Sequence, residues 1–468
     1  MSDVLPLLTA PGEAPVLKKG TLGLRHAIVI SVAVMSPAAS IFFNTIPQAG
    51  VVGAAIPLCY VIGFIVALCA ANQYSELSRE LPSSGSAYTF VVEGLNAHWG
   101  FMTGWIGLMG VAIGAPYSFV LMSANLQALV QRWCGINIHW SIWFVLAVGI
   151  VFAACYVGVR QSLRIDLTLL TFEIGICLLL AILIFFHVGS QGGLTLAPFS
   201  VNQVPKGGDL TVGIILAVLS FIGFETAATL GEETNNPDRN IPRAIFGSMV
   251  VVGIFYILMA YAATIGYGIP NMVTGYANNA APFDTLGRQF GGNIFALLID
   301  LTGIFSFFGA ALAIVNGGAR IMYAIGRDGL LPRWTSRTHS KYHTPIGAIT
   351  FLCLFALICG IPLGLLMTPI EAFSFLGTLD ALFILILYIL VNIACIRFFW
   401  RKRRTQFKLV RHAIIPALST LLMTAIFCAA FLSPGSAPLS FVPYVVAVWT
   451  MIGLGVLFIM RKKIVAIV

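Results

Sequence analysis

The sequence predicts an all-α polytopic membrane protein. It has twelve transmembrane helices, arranged as a 5+5 inverted repeat with broken helices one and six, plus helices eleven and twelve. Three observations carry this. Hydrophobic residues make up 59% of the 468 and charged residues only 9%, too few charges to cover a soluble surface. The apolar residues fall in twelve runs long enough to cross a bilayer. The first and sixth of those runs each carry a helix-breaking interruption near the middle.

The runs lie at about 24–47, 51–76, 98–128, 137–158, 164–187 and 210–232, then at 242–268, 291–322, 346–366, 371–397, 411–432 and 439–460. Span one, the long third span and the fifth correspond to span six, the long eighth span and the tenth, at an offset of roughly 190 residues. An odd number of spans per half inverts the second half relative to the first. The expected divisions are a cytoplasmic tail at 1–22, repeats at 23–190 and 205–398, and a final pair at 411–463.

Charge placement supports the count. With a cytoplasmic N-terminus and alternating spans, only Arg132, Lys206 and Arg288 of the 26 Lys and Arg residues fall outside. Adding or removing one span would scatter the rest. The net charge of +9 therefore reads as topology in a cytoplasmic membrane, and no nucleic-acid partner is expected. Met1 to Lys19 shows no short apolar core or cleavage site, so the first span itself is expected to direct insertion. Nine cysteines without CxxC pairing read as packing residues, and seven histidines without ligand spacing suggest neither metal nor cofactor. Gly100, Gly104, Gly107, Gly110 and Gly114 form a stripe in span three, read as a packing seam, with substrate passage as the alternative.

The two breaks carry the functional argument. The first is Met35-Ser36-Pro37-Ala38-Ala39-Ser40 and the second Ser220-Phe221-Ile222-Gly223-Phe224-Glu225. A broken helix in hydrocarbon leaves unpaired backbone groups, each costing several kcal/mol, unless protein or a water-filled cavity covers them. After Pro37 a new half-helix begins, and its first amides, at Ala39 and Ser40, carry the positive end of a dipole suited to a carboxylate. Carbonyls freed near Ser36 and around Leu219 to Ile222 suit a cation, and Gly223 lets the chain turn without a Cβ clash. Amides for an anion beside carbonyls for a cation match a zwitterion. The alternative is a plain packing kink at Pro37.

The second break continues into Glu232-Glu233-Thr234-Asn235-Asn236-Pro237-Asp238-Arg239-Asn240-Ile241-Pro242-Arg243-Ala244-Ile245. This stretch resembles the sixth-helix signature of the amino acid–polyamine–organocation (APC) transporters. Tyr74-Ser75-Glu76-Leu77, Pro82 to Tyr88, Gly100 to Trp105, Ala319 to Ala324 and Arg327 to Pro332 extend the resemblance, in order, over nearly the whole chain. It implies the inverted-repeat fold, alternating access, and uptake or exchange of amino acids or amines, with the carbonyls of Ser36, Leu219 and Ile222 as amino-group acceptors. One departure stands out. The family's first-helix motif is of the form Gly-Ser-Gly-Ile-Phe, whereas this chain has Ala38-Ala39-Ser40-Ile41-Phe42 after Pro37. The added methyl groups narrow a carboxylate's approach while Ser40 adds a hydroxyl donor, so carboxylate binding is expected to be weaker than in a glycine version. Some amine importers of the superfamily also have proline here, which keeps a decarboxylated substrate open.

Glu173, Glu225, Asp300 and Asp380 fall within spans, where a charge costs about 2.5–3.5 kcal/mol on insertion scales and a functional role is the default. The resemblance puts Glu173 near a fifth-helix position where several members carry a lysine in place of a coupling sodium ion. Glu173, with Ser306, is therefore the candidate for ion coupling, as a proton carrier, with a structural acid or a sodium or amine site as alternatives. Glu225 and Pro37 are expected to hold the broken backbone. Arg320 and Arg327 would face Glu76 and Glu80 in an inner gate or simply anchor the inner end. Phe221 and Phe224 are expected to close over substrate, and Ile113, Tyr117 and Ser306 to line the pocket. Leu219 stands where an arginine/agmatine exchanger of the family has an aromatic, and span three offers Gly110 rather than an acid. Both tilt the expected substrate toward a small or apolar neutral amino acid.

The sequence thus predicts a permease importing an amino acid by proton-coupled symport. Its rivals are an amine importer or exchanger, and a sensor that binds without transport. No nucleophile–base pair or ATP-binding motif supports an enzyme or a primary pump.

Overall fold

The computed structural model describes residues 17–432 and 437–467, so most of the tail expected at 1–22 lies outside the described residues. Among these the regular structure is helical, joined by turns and loops, apart from a single bridge between Leu22 and Thr234. Eleven continuous helical stretches are long and apolar enough to cross a bilayer. The first, Leu24–Glu80, has 57 residues. That is about 85 Å of helix, nearly three hydrocarbon thicknesses. It turns back at Gly53, where φ is 58°, and supplies two spans. Twelve spans result, as the hydropathy pattern predicts.

Span one is α1 (Leu24–Met35) followed by α2 (Pro37–Val52), and span two is α3 (Ile56–Glu80). A short α4 (Ala87–Gly94) precedes α5 (Ala97–Cys134), α6 (Trp140–Val157) and α7 (Val159–Ser190). Span six is α8 (Leu210–Leu219) and a 3-10 segment at Phe224–Leu230, followed by α9 (Pro237–Tyr267). Then come α10 (Pro282–Arg327), α11 (Ile346–Leu366), α12 (Pro369–Arg401), α13 (Ile415–Leu432) and α14 (Val442–Ile467). Local chemistry sets the starts. Proline opens α2, α9, α10 and α12, where its missing N–H would be unpaired anyway. Asn96 and Asp209 cap α5 and α8, and Thr368 with Glu371 forms a capping box on α12. Gly292, at φ 79°, bends α10 and separates its first ten residues from the eighth span.

The core lies where α1, α3, α5, α9, α10 and α12 meet, and α13 and α14 pack at the edge. Trp105 of α5 and Trp449 of α14 stack at 4.6 Å and exchange indole-to-carbonyl hydrogen bonds of 3.0 and 3.2 Å. Gly453 makes room for that stack, since a Cβ there would stand 2.5 Å from Trp105.

Most basic residues gather at one end of the bundle, in a network whose partners differ from expectation. Arg320 pairs with Glu233, and both are buried. Arg327 forks onto Glu232 at 2.9 and 3.1 Å, and Glu232 also accepts from the Ser84 amide and hydroxyl. Glu76 instead meets Arg411 and His412, and Glu80 meets Arg403. The reason is the loop after the second break, which inserts its Glu232-Glu233 pair beside the end of α10. At the opposite end Asp300 pairs with Arg132 at 3.1 Å, which gives that membrane-edge acid a counter-charge.

The two breaks are joined before they reach the site. Ser31 of α1 donates to the Phe224 carbonyl at 2.7 Å and accepts from the Ala227 amide at 2.9 Å. Leu22 pairs with the backbone of Glu233 and Asn235. The first half of span one and the second half of span six are therefore one mechanical unit. Gly223 turns the second break at φ 116°, and a Cβ there would lie 2.5 Å from Val34 Cγ1. Gly223→Ala should destabilise the protein by about 1–3 kcal/mol and slow transport, read as a lower melting temperature in detergent; an unchanged melt would contradict the contact.

Candidate functional site

At the first break Ser36 takes a left-handed conformation (φ 43°, ψ 69°), which strands the end of α1. The Met35 carbonyl is recovered by the Ser40 hydroxyl and the Tyr256 hydroxyl, both at 2.8 Å. The same Tyr256 hydroxyl lies 2.9 Å from the Ser220 carbonyl at the second break. It shares one proton between two carbonyls that belong to different repeats. The Ser36 carbonyl accepts from the Ser40 amide at 2.8 Å and the Leu219 carbonyl from the Ile222 amide at 3.3 Å, which leaves each a second lone pair for a ligand. Asn44 donates to the Ser220 hydroxyl at 2.8 Å, adding a bond between α2 and the second break.

The amides expected to greet a carboxylate are already engaged. Pro37 has no N–H, the Ala38 N–H faces the Glu173 carboxyl, Ala39 donates to Ser306 Oγ at 3.1 Å, and Ser40 donates to Ser36. Glu173 is 1% exposed, also meets the Ser306 hydroxyl, and keeps Oε2 without a hydrogen-bond partner. So the protein's own acid, rather than a solute, occupies the positive end of α2.

Between the breaks lies a cavity of about 560 Å³, within the usual size of a small-molecule site. Ser36, Ala39, Ser40, Leu219, Ile222, Gly223, Glu225 and Tyr117 line it. Glu225 Oε2 accepts from the Gly223 amide at 3.1 Å and from the Tyr388 hydroxyl at 2.7 Å, so this acid both braces the turn and faces the cavity. Gly104, Gly107, Gly110 and Gly114 also line it while packing against α10 and α12, so the stripe is seam and cavity wall together.

Other expected wall residues lie behind it. Phe221 is buried against Phe64 and Tyr256, and Phe224 against Tyr74 and Tyr388; their rings brace the break from outside the cavity. Ile113 is buried in the core, Ser306 and Glu173 sit between α2, α7 and α10, and Pro37 and Arg320 do not line the cavity either.

Several contributors went unread in the sequence. Phe43, Phe307 and Phe373 join Tyr117, which was expected to line the pocket, in an aromatic wall with ring centroids 5.4–6.4 Å apart. They replace the single aromatic whose absence at Leu219 had argued against a cation. Asp380 of α12 also lines the cavity, with Oδ1 3.4 Å from where a Cβ on Gly110 would stand. The acid missing from span three thus arrives from span ten. Asp166 of α7 is fully buried, and neither carboxyl oxygen has a hydrogen-bond partner. It lies seven residues, two turns, before Glu173 on one helix face, a spacing visible in the sequence. Among the described residues no group of three or more His, Cys, Asp or Glu side chains converges on a metal position.

Tyr256→Phe removes the shared proton and leaves two carbonyls under-satisfied. The expected loss is about 1–2 kcal/mol of stability, with weaker solute binding, both readable by thermal shift with and without ligand. A wild-type melt would show that the breaks do not depend on this hydroxyl.

Comparison with known proteins agrees with this architecture. Residues 22–457 match a family model described as amino acid permease. The chain is 26% identical over 447 residues to the branched-chain amino acid permease BcaP of Bacillus subtilis, covering 90% of this chain and 89% of that one. It is 25% identical over 411 residues to the low-affinity putrescine importer PlaP of Escherichia coli, with 86% of each covered. The cationic amino acid transporter 7 of Arabidopsis thaliana is 24% identical over 367 residues, covering 74% of this chain and 60% of that one.

Proposed function

This chain belongs to the amino acid permease family of APC transporters, and it is a multi-pass membrane transporter of an amino acid or amine rather than an enzyme; we propose that it imports its solute across the cytoplasmic membrane by proton-coupled symport. The single observation that carries this is the cavity held between two broken helices whose freed carbonyls share the Tyr256 hydroxyl. A solute there touches both repeats at once, so its binding energy can differ between outward- and inward-open states.

The basic end of the bundle faces the cytoplasm in this proposal, together with both termini. Inward opening swings the unit of α1 and Phe224–Leu230, which Ser31 holds together. It must release the network of Arg327, Glu232 and Ser84 at that end. The repeats proposed at residues 23–190 and 205–398 each contribute one half-helix to that swinging unit, α1 from the first and Phe224–Leu230 from the second, with 411–463 at their edge.

Glu173 carries the coupled proton. It is buried at the start of α2, against Ala38 and Ser306, where any flexing of the first break changes its access to water. Asp166, two turns nearer the basic end and without hydrogen-bond partners, supplies a second station on the way inward. No lysine or arginine is hydrogen-bonded to either acid among the described residues, which suits carriers that load and unload a proton.

Proteoliposomes with an imposed pH gradient test the whole reading. Wild-type protein should accumulate labelled solute against its gradient, with or without sodium. Glu173→Gln should abolish the pH dependence of uptake and cut accumulation at least tenfold while binding remains measurable. Unaltered pH dependence in that variant would remove Glu173 as the carrier. Binding without accumulation would indicate a sensor, and counterflow alone an exchanger.

A further inference from the structure

Resting on that transport reading, we infer that the solute is a small aliphatic diamine and that Asp380 selects it by holding its second ammonium. The first argument is charge. Glu225 and Asp380 both face the cavity and are close enough to interact electrostatically, yet among the described residues no lysine, arginine or histidine lines it. Two carboxyls in a low-dielectric space without a counter-charge favour a ligand that brings positive charge of its own. A diamine brings two.

The second argument is the anion side. A zwitterionic amino acid needs donors for its carboxylate, and the amides at the start of α2 are committed to Glu173, Ser306 and Ser36. A cationic amino acid would likewise have to find its carboxylate donors among wall hydroxyls such as Tyr117 and Thr226 rather than at a helix N-terminus. A decarboxylated amine needs none.

The third is shape. Asp380 Oδ1 lies 3.4 Å from the position a Cβ on Gly110 would take, ordinary contact distance, so the carboxyl sits at the wall against α5 where only a side chain longer than alanine would crowd it. Tyr117, Phe43, Phe307 and Phe373 offer ring faces for the methylene chain and an ammonium. Asp380 itself is 8% exposed, enough to meet a solute in the cavity.

The test uses the full chain in proteoliposomes with labelled 1,4-diaminobutane, labelled butylamine and labelled leucine. Wild-type protein should accumulate the diamine, and unlabelled leucine should compete at least tenfold more weakly than unlabelled diamine. Asp380→Asn should raise the diamine KM about tenfold or more, the scale of one lost charge-assisted contact. Its KM for butylamine should move less than about threefold, because that solute lacks the second ammonium. Asp380→Glu, which keeps the charge, should retain most of the diamine preference. If leucine accumulates, the diamine neither accumulates nor competes, and Asp380→Asn leaves uptake unchanged, the inference is overturned while the transport reading stands. If no amino acid or amine accumulates, the transport reading fails and takes this inference with it. Should the Asn variant prove unstable, the wild-type competition order and Asp380→Glu decide alone.

Discussion

One hydroxyl proton, on Tyr256, answers two helix interruptions at once. A peptide carbonyl exposed in hydrocarbon costs several kcal/mol, and two spans of this chain each strand one at the membrane's depth. Met35 and Ser220 turn those carbonyls toward the same phenol from opposite sides. Ser40 gives Met35 a second donor, so the phenol's particular part is to join the two turns to one another. With it, the chain keeps two irregular turns facing a common cavity, and Ser31 and Asn44 lash the flanking half-helices together.

That arrangement has a polarity. The positive end of α2 points at Glu173, an acid supplied from α7, while the cavity itself is lined by Glu225 and Asp380. In the proposed symport, coupling and recognition would be separated by a single half-helix. Glu173 meets the Ala38 amide one residue beyond Pro37, which gives the proposed symport a short path between its ion and its solute. The glycine stripe of α5 lets α10 and α12 close around the same space.

Much of this could be read from residues alone. Pro37 and Gly223 announce the breaks because one lacks an N–H and the other adopts a backbone conformation that side chains resist. Glu173 announces itself by its charge in an apolar run. What escaped was whatever depends on the rotation of one helix against another. Phe221 and Phe224 adjoin the break in sequence yet point into packing behind it. Asp380 looked like one more acid in a span until α12 was set against the bare surface of Gly110. Tyr256 is one tyrosine among thirteen, with nothing in the local pattern to mark the two carbonyls it reaches. Arg320 was assigned the wrong acid because the loop bearing Glu232 and Glu233 folds inward over the end of α10.

The most direct measurement of the central claim is a cryo-electron density map of the full chain in nanodiscs, loaded with its solute. The account predicts ligand density touching Ser36 to Ser40 on one side and Ser220 to Gly223 on the other, with the phenol of Tyr256 between the two turns. Solute density elsewhere, or spans one and six running as unbroken helices, would contradict it.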